Sequence, residues 1–156
     1  MPLTFPDGRP FTTGAASYSY RPATENETTE RIIVEIQIGE ITTEAVVDTG
    51  GVYLFCTPSI ADRLSLDEES ALSGVKEILF RGQWVKGRLY RLGLVLLAEE
   101  GNSLNFEATA FVPEDYREDT WVEIPCFLGL FGCLERLRFA VNPDLDKPTF
   151  YFGPIS

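Results

Sequence analysis

Residues 32–51 constrain this chain most. Ile32-Ile33-Val34-Glu35-Ile36-Gln37-Ile38 alternates, with Val34, Ile36 and Ile38 on one face and Glu35 and Gln37 on the other. That is the period of a half-buried strand. Gly39-Glu40 supplies a hairpin turn, and residues 42–47 return as a second strand that ends in Asp48-Thr49-Gly50-Gly51. A carboxylate carried by the apolar run Ala45-Val46-Val47 into a glycine turn lies near low-dielectric surroundings, where its proton affinity can be tuned. The same residues admit a plainer reading, in which Asp48 closes an Asx turn at a strand end and does no chemistry. Gly50 and Gly51 are turn glycines on both readings.

Turn signals recur along the rest of the chain. Residues 1–30 are rich in Pro, Gly, Ser, Thr and Glu and read as an N-terminal extension, partly ordered or flexible, before a domain over 31–156 whose regular structure starts at Arg31. Residues 58–64 form a short helix with Pro58 in its first turn, where a missing N–H costs nothing. Residues 76–97 hold two strands flanking Phe80-Arg81-Gly82-Gln83-Trp84, and residues 104–112 a further strand. Residues 113–119 make an acidic loop without the EF-hand spacing. Residues 121–127 are apolar and extended, 131–137 suit a short helix, and 138–142 and 149–152 finish the chain as strands. Many short strands with close turns predict a mostly-β barrel or sandwich with one or two short helices.

Composition narrows the function. The chain has a net charge of −11, which disfavours nucleic acid and anionic membrane surfaces as partners, since phosphate binding needs clustered cations. No apolar run approaches the roughly 18–20 residues that span a bilayer. The start, Met1-Pro2-Leu3-Thr4-Phe5-Pro6, has neither the basic region nor the apolar core of a secretory signal, so a cytoplasmic setting is expected. The chain contains 0 histidines, which excludes Ser-His and Cys-His catalysis and the common His-based zinc sites within it. No metal ligand set and no cofactor are expected. Cys56, Cys126 and Cys133 have no C-x-x-C spacing and read as reduced, buried thiols.

Taken in order, four features resemble the retropepsin-like aspartic proteases, and among them the bacterial single-domain members. They are Ala45-Val46-Val47-Asp48-Thr49-Gly50 after a second strand, the apolar strand and short helix that follow, the glycine hairpin around Gly82, and Phe127-Leu128-Gly129. The resemblance spans about residues 31–153 and implies a closed β-barrel with a flap hairpin at Gly82. It implies that Asp48, Thr49 and Gly50 are catalytic. Peptide hydrolysis needs an activated water and a proton donor for the leaving amine. Two adjacent carboxylates sharing one proton supply both, as aspartic proteases do. With a single such motif, the second carboxylate is Asp48 of another subunit, so a homodimer acting on a peptide or protein is implied. Thr49 would bond across the two-fold axis. Gly51, Tyr53, Phe80, Arg81, Gly82, Trp84, Phe127 and Leu128 would contact substrate, and Gly129 would let the neighbouring backbone pass close beneath the Asp48 loop. Three positions depart from the family pattern. Gly51 stands where Ala or Ser is usual, Leu130 where retroviral members carry an Arg that locks the dimer, and bulky Phe80, Arg81 and Trp84 where retroviral flaps are glycine-rich. These departures also suit a fold of this kind that binds peptides or partners without cutting them, and an unrelated β-domain serving as an assembly subunit remains open.

Overall fold

The alternating segment becomes β3 (Glu30–Ile38), with Val34, Ile36 and Ile38 buried and Glu35 exposed. The computed structural model describes residues 2–72, 74–114 and 124–155. β3 turns at Gly39, whose φ is +59°, into β4 (Ile41–Val52). The chain continues through β5 (Leu54–Phe55), the helix α1 (Pro58–Arg63), β6 (Lys76–Phe80), β7 (Gln83–Leu96), β8 (Glu100–Gly101), β9 (Leu104–Pro113), β10 (Cys126–Phe131), β11 (Leu137–Asn142) and β12 (Thr149–Pro154). Two further strands, β1 (Gly14–Ser17) and β2 (Ser19–Pro22), precede β3.

Eight strands form one sheet in the order β2-β3-β4-β10-β5-β9-β7-β6, and β3 also pairs with β7, so the sheet rolls back on itself. A second sheet has the order β11-β12-β1-β8. Between the layers lies the main core, with Ile36, Ile38, Leu94, Leu96, Leu128, Phe150 and Phe152 nearly fully buried. A second apolar cluster gathers Ile33, Val46, Phe55, Ile78, Phe111 and Phe127 beneath the β6–β7 hairpin. The architecture is mostly β, as the strand and turn signals predict. Among the described residues, no helix is long and apolar enough to cross a membrane.

Three local expectations change. Regular structure starts at Gly14, not Arg31: β1 pairs with β12 and β2 with β3, so residues 14–22 belong to the two sheets. β2 is hard to see in the sequence because its residues Ser19, Tyr20 and Arg21 are exposed, and it is held by pairing with β3 and by the Arg21–Glu44 ion pair. The helix expected at 131–137 shrinks to the 3-10 turn Leu134–Arg136, because Phe131 ends β10 and Gly132 takes φ +81°, a left-handed conformation that no helix continues through. β4 does not stop at Asp48 but runs on to Val52. The acidic loop after Glu114 and the start of the 121–127 segment lie outside the described residues.

The three cysteines are free and buried. Cys56 and Cys126 share a thiol–thiol hydrogen bond, and that bond with burial holds the Cys56 thiol well above its ordinary value. Burial pushes Cys133 up to about 12. A raised thiol value means that the protonated form is favoured in the fold. The stability it contributes is complete below the unfolded value of about 8.5 and is lost as pH rises above it. Iodoacetamide at about pH 8 is therefore expected to leave the native protein unlabelled and to label all three thiols once denaturant unfolds it. Rapid labelling of a native thiol would contradict this burial.

Candidate active site

The site forms where β4, β10 and the β6–β7 hairpin converge. β10 runs parallel to β4, with Phe127 opposite Val46, Leu128 opposite Val47 and Gly129 opposite Asp48. The chain then reverses at Tyr53, which takes φ +62°, a conformation that costs a bulky residue about 1–3 kcal/mol. Two backbone bonds hold it there. The Tyr53 N–H donates to the Phe131 carbonyl at 2.6 Å, and the Gly129 N–H donates to the Tyr53 carbonyl at 2.8 Å. A Cβ on Gly129 would lie 2.6 Å from that carbonyl oxygen, 2.6 Å from Val52 C and 2.7 Å from Val52 N, so only glycine fits against this loop.

Asp48 is half-buried at the loop's start. Its Oδ1 accepts the Gly50 N–H at 3.1 Å, which is the Asx turn of the plainer reading. One oxygen orients the carboxylate, and Oδ2 has no hydrogen-bond partner among the described residues. A Cβ at Gly51 would lie 3.3 Å from Oδ2, a tight approach that leaves the residue at 51 able to crowd the second oxygen.

Asp48 opens on a cavity of about 280 Å³ lined by Gly50, Gly51, Phe55, Phe80, Arg81 and Phe127, with Arg31, Val52, Ile78, Leu79 and Gly129 completing its walls. The hairpin covers it. Phe80 and Gln83 are paired across a two-residue turn in which Arg81 has φ +54° and Gly82 φ +80°. Positive φ at both central positions is the type I′ turn that suits a tight hairpin. The Phe80 ring stacks on Phe55, centroids 3.8 Å apart and planes 4° from parallel, and meets Phe127 edge-on at 5.1 Å. Arg81 forms an ion pair with Glu27, and its guanidinium lies 6.0 Å from the centre of the Phe127 ring. The flap tip is thus pinned by aromatic stacking on one side and by a carboxylate from the N-terminal segment on the other.

The cavity brings together Asp48, Gly50, Gly51, Phe80, Arg81, Phe127 and Gly129. Five other residues singled out in the sequence do not line it. Thr49 is exposed beside Asp48, and Tyr53 is buried behind the loop. Gly82 forms the hairpin's turn, Trp84 is 69% exposed on the hairpin, and Leu128 is in the main core. The sequence pattern does not single out Arg31, Val52, Phe55, Ile78 or Leu79 as wall residues. Arg31 was within its reach, since a strand register counted about Gly39-Glu40 sets Arg31 against Asp48.

A crystal structure of a retropepsin-like aspartic protease from Rickettsia conorii has the same fold, with a TM-score of 0.54 over 90% of this chain and 93% of that one, at 17% sequence identity. No family model matches the sequence, and no curated protein matches it. The chain therefore has a retropepsin-like, mostly-β fold, with its lone Asp-Thr-Gly sequence at the mouth of the flap-covered cavity.

Proposed function

We propose that this chain is one protomer of a homodimeric aspartic endopeptidase in which the Asp48 carboxylates of two copies activate one water. The observation that carries the reading is the state of Asp48, held by Gly50 through one oxygen and open through the other in the lining of a hairpin-covered cavity. Alone, such a group can accept a proton but has no neighbour to return one. A second carboxylate across a two-fold axis completes the acid–base pair, because like charges that close share a proton. The surface beside the loop supports a second copy. Val52 and Leu130 are each 40% exposed and Phe131 57%, a run of apolar side chains around the Asp48 turn that water covers poorly. Leu79 and Trp84, paired across the hairpin, extend the apolar surface onto the flap.

Substrate would lie extended between the dyad and the flaps, bonding as an added strand. Thr49 would bond across the axis to the opposing loop, and Phe127 and Phe80 would wall the apolar pocket. A cytoplasmic setting is supported by the three unpaired thiols. The test is turnover of an unfolded protein between about pH 3 and 7, where carboxylates and their shared-proton pairs titrate, set against Asp48→Asn. Turnover that is equal in the two proteins rejects the reading.

A second reading, peptide binding without hydrolysis, is favoured by the Phe80 ring, which fills the space between Phe55 and Phe127. If that ring only guards the cleft of an enzyme, Phe80→Ala is expected to raise kcat/KM for bulky apolar peptides severalfold. It would also cost about 2–4 kcal/mol of stability, as truncation of a packed aromatic does. Peptide binding that tightens in Phe80→Ala with no turnover would favour the second reading.

A further inference from the structure

Arg31 is a cation in the wall of the Asp48 cavity with an unmet hydrogen bond. Its Nε is buried and has no hydrogen-bond partner, and none of the ion pairs among the described residues uses its guanidinium. The nearby cations are committed elsewhere. Arg81 is paired with Glu27, and Arg21, opposite Arg31 on β2, is held by Glu44 at 2.6 Å. A buried donor on a charged group that forfeits its hydrogen bond is costly, as is the equally buried and unpaired Glu27 Oε2, and native proteins keep such groups where something else satisfies them.

The cavity shows where that something would come from. The β3–β4 ladder ends at Ile33 opposite Val46, two residues short of both Arg31 and Asp48, and both of these residues line the one cavity. Arg31 thus shares the cavity wall with Asp48 and with Phe55, Phe80 and Phe127. A free anion entering there would meet the Asp48 carboxylate with no other contact to hold it. An acidic side chain on a peptide is brought in by the whole extended chain, one or two residues away from the bond that Asp48 faces.

We infer that Arg31 anchors an Asp or Glu side chain of the bound peptide, so that the cavity selects substrates with an acidic residue at one fixed position. The inference rests on the proposed reading of the cavity as a peptide site. The protein's net charge of −11 opposes an acidic ligand only at long range. Beyond a Debye length of about 8 Å in physiological salt that repulsion is screened, while the contact with Arg31 is local and partly desolvated. Arginine's planar fork suits a carboxylate bound through two parallel hydrogen bonds.

The experiment uses ten-residue peptides of one apolar sequence, with Glu or Gln placed at each position in turn. Turnover by the wild type and binding to Asp48→Asn are both measured, with the same measurements on Arg31→Gln and Arg31→Lys. At one position Glu is expected to exceed Gln by about ten- to hundredfold, the value of a charge-assisted bond, both in kcat/KM and in affinity. The ratio is expected to fall to about one in Arg31→Gln and to recover partly in Arg31→Lys, which keeps the charge but loses the fork. A ratio unchanged in Arg31→Gln overturns the inference. So does an equal loss for Glu and Gln peptides, which would make Arg31 a support for Asp48. So does conversion of Arg31→Gln to a monomer by sedimentation, which would make a carboxylate of the second copy its partner. Should the wild type cut no peptide while Asp48→Asn keeps the Glu preference in binding, hydrolysis fails and the anchor stands. Should the wild type cut neutral peptides with no acidic preference at any position, hydrolysis stands and the anchor fails.

Discussion

Asp48→Asn is expected to lower kcat/KM for peptide hydrolysis by at least about a thousandfold, the upper part of the range for loss of a general acid–base group. The substitution is close to isosteric. The amide oxygen of Asn can still accept the Gly50 N–H that Asp48 Oδ1 takes at 3.1 Å, so the Asx turn survives. Asp48 is only half-buried and makes no ion pair among the described residues, so the melting temperature should move little. The change is thus confined to proton transfer, because an amide neither takes a proton from water nor returns one to an amine. A variant that keeps the wild-type melting temperature and more than about a tenth of its activity would remove Asp48 from the chemistry, since general acid–base loss costs far more than that.

Gly129→Ala is expected to cost about 2–4 kcal/mol, as overpacking against immovable atoms does, and to abolish any activity that needs the Asp48 loop. The added methyl carbon would lie within 2.6–2.7 Å of the Val52 and Tyr53 backbone, not against a side chain that could swing away. Relief requires either the Gly129–Tyr53 bond or the Tyr53–Phe131 bond to open. Tyr53 then loses what holds it at φ +62°, and the loop beginning at Asp48 relaxes. Denaturant midpoints of wild type and variant measure the cost. A variant as stable as the wild type would mean that β10 does not press on the loop as described.

The local parts of this site are legible in the sequence because each rests on short-range chemistry. Alternation at Val34, Ile36 and Ile38 marks β3, Gly39-Glu40 marks its turn, and the apolar run before Asp48 marks the strand that delivers the carboxylate. Pro58 marks α1. The less legible parts depend on contacts between distant segments. Nothing near Phe55 says that the flap's Phe80 stacks on it, and nothing near Glu27 says that it grips Arg81. The strands β1 and β2 are obscure for the same reason, since β12 and β3 supply the pairing that the small residues of β1 and the exposed residues of β2 do not advertise. Trp84 shows the reverse error. Its size suggests a cover for the cavity, but it lies on the half of the hairpin that leaves it 69% exposed. Leu128 suggests a pocket wall, yet a parallel strand alternates its sides, and next to Phe127 the Leu128 side chain turns into the main core.

The central claim is that two copies of Asp48 make one site, and mixing tests it most directly. Wild type and Asp48→Asn are unfolded together, refolded at constant total protein, and assayed as the wild-type fraction is varied. A site built from two chains loses activity with the square of that fraction, so an equal mixture keeps about a quarter of the full rate, because random pairing leaves that share of dimers with both carboxylates. A linear fall, with about half the rate left in the equal mixture, is what independent single-chain sites give, and it would contradict the account.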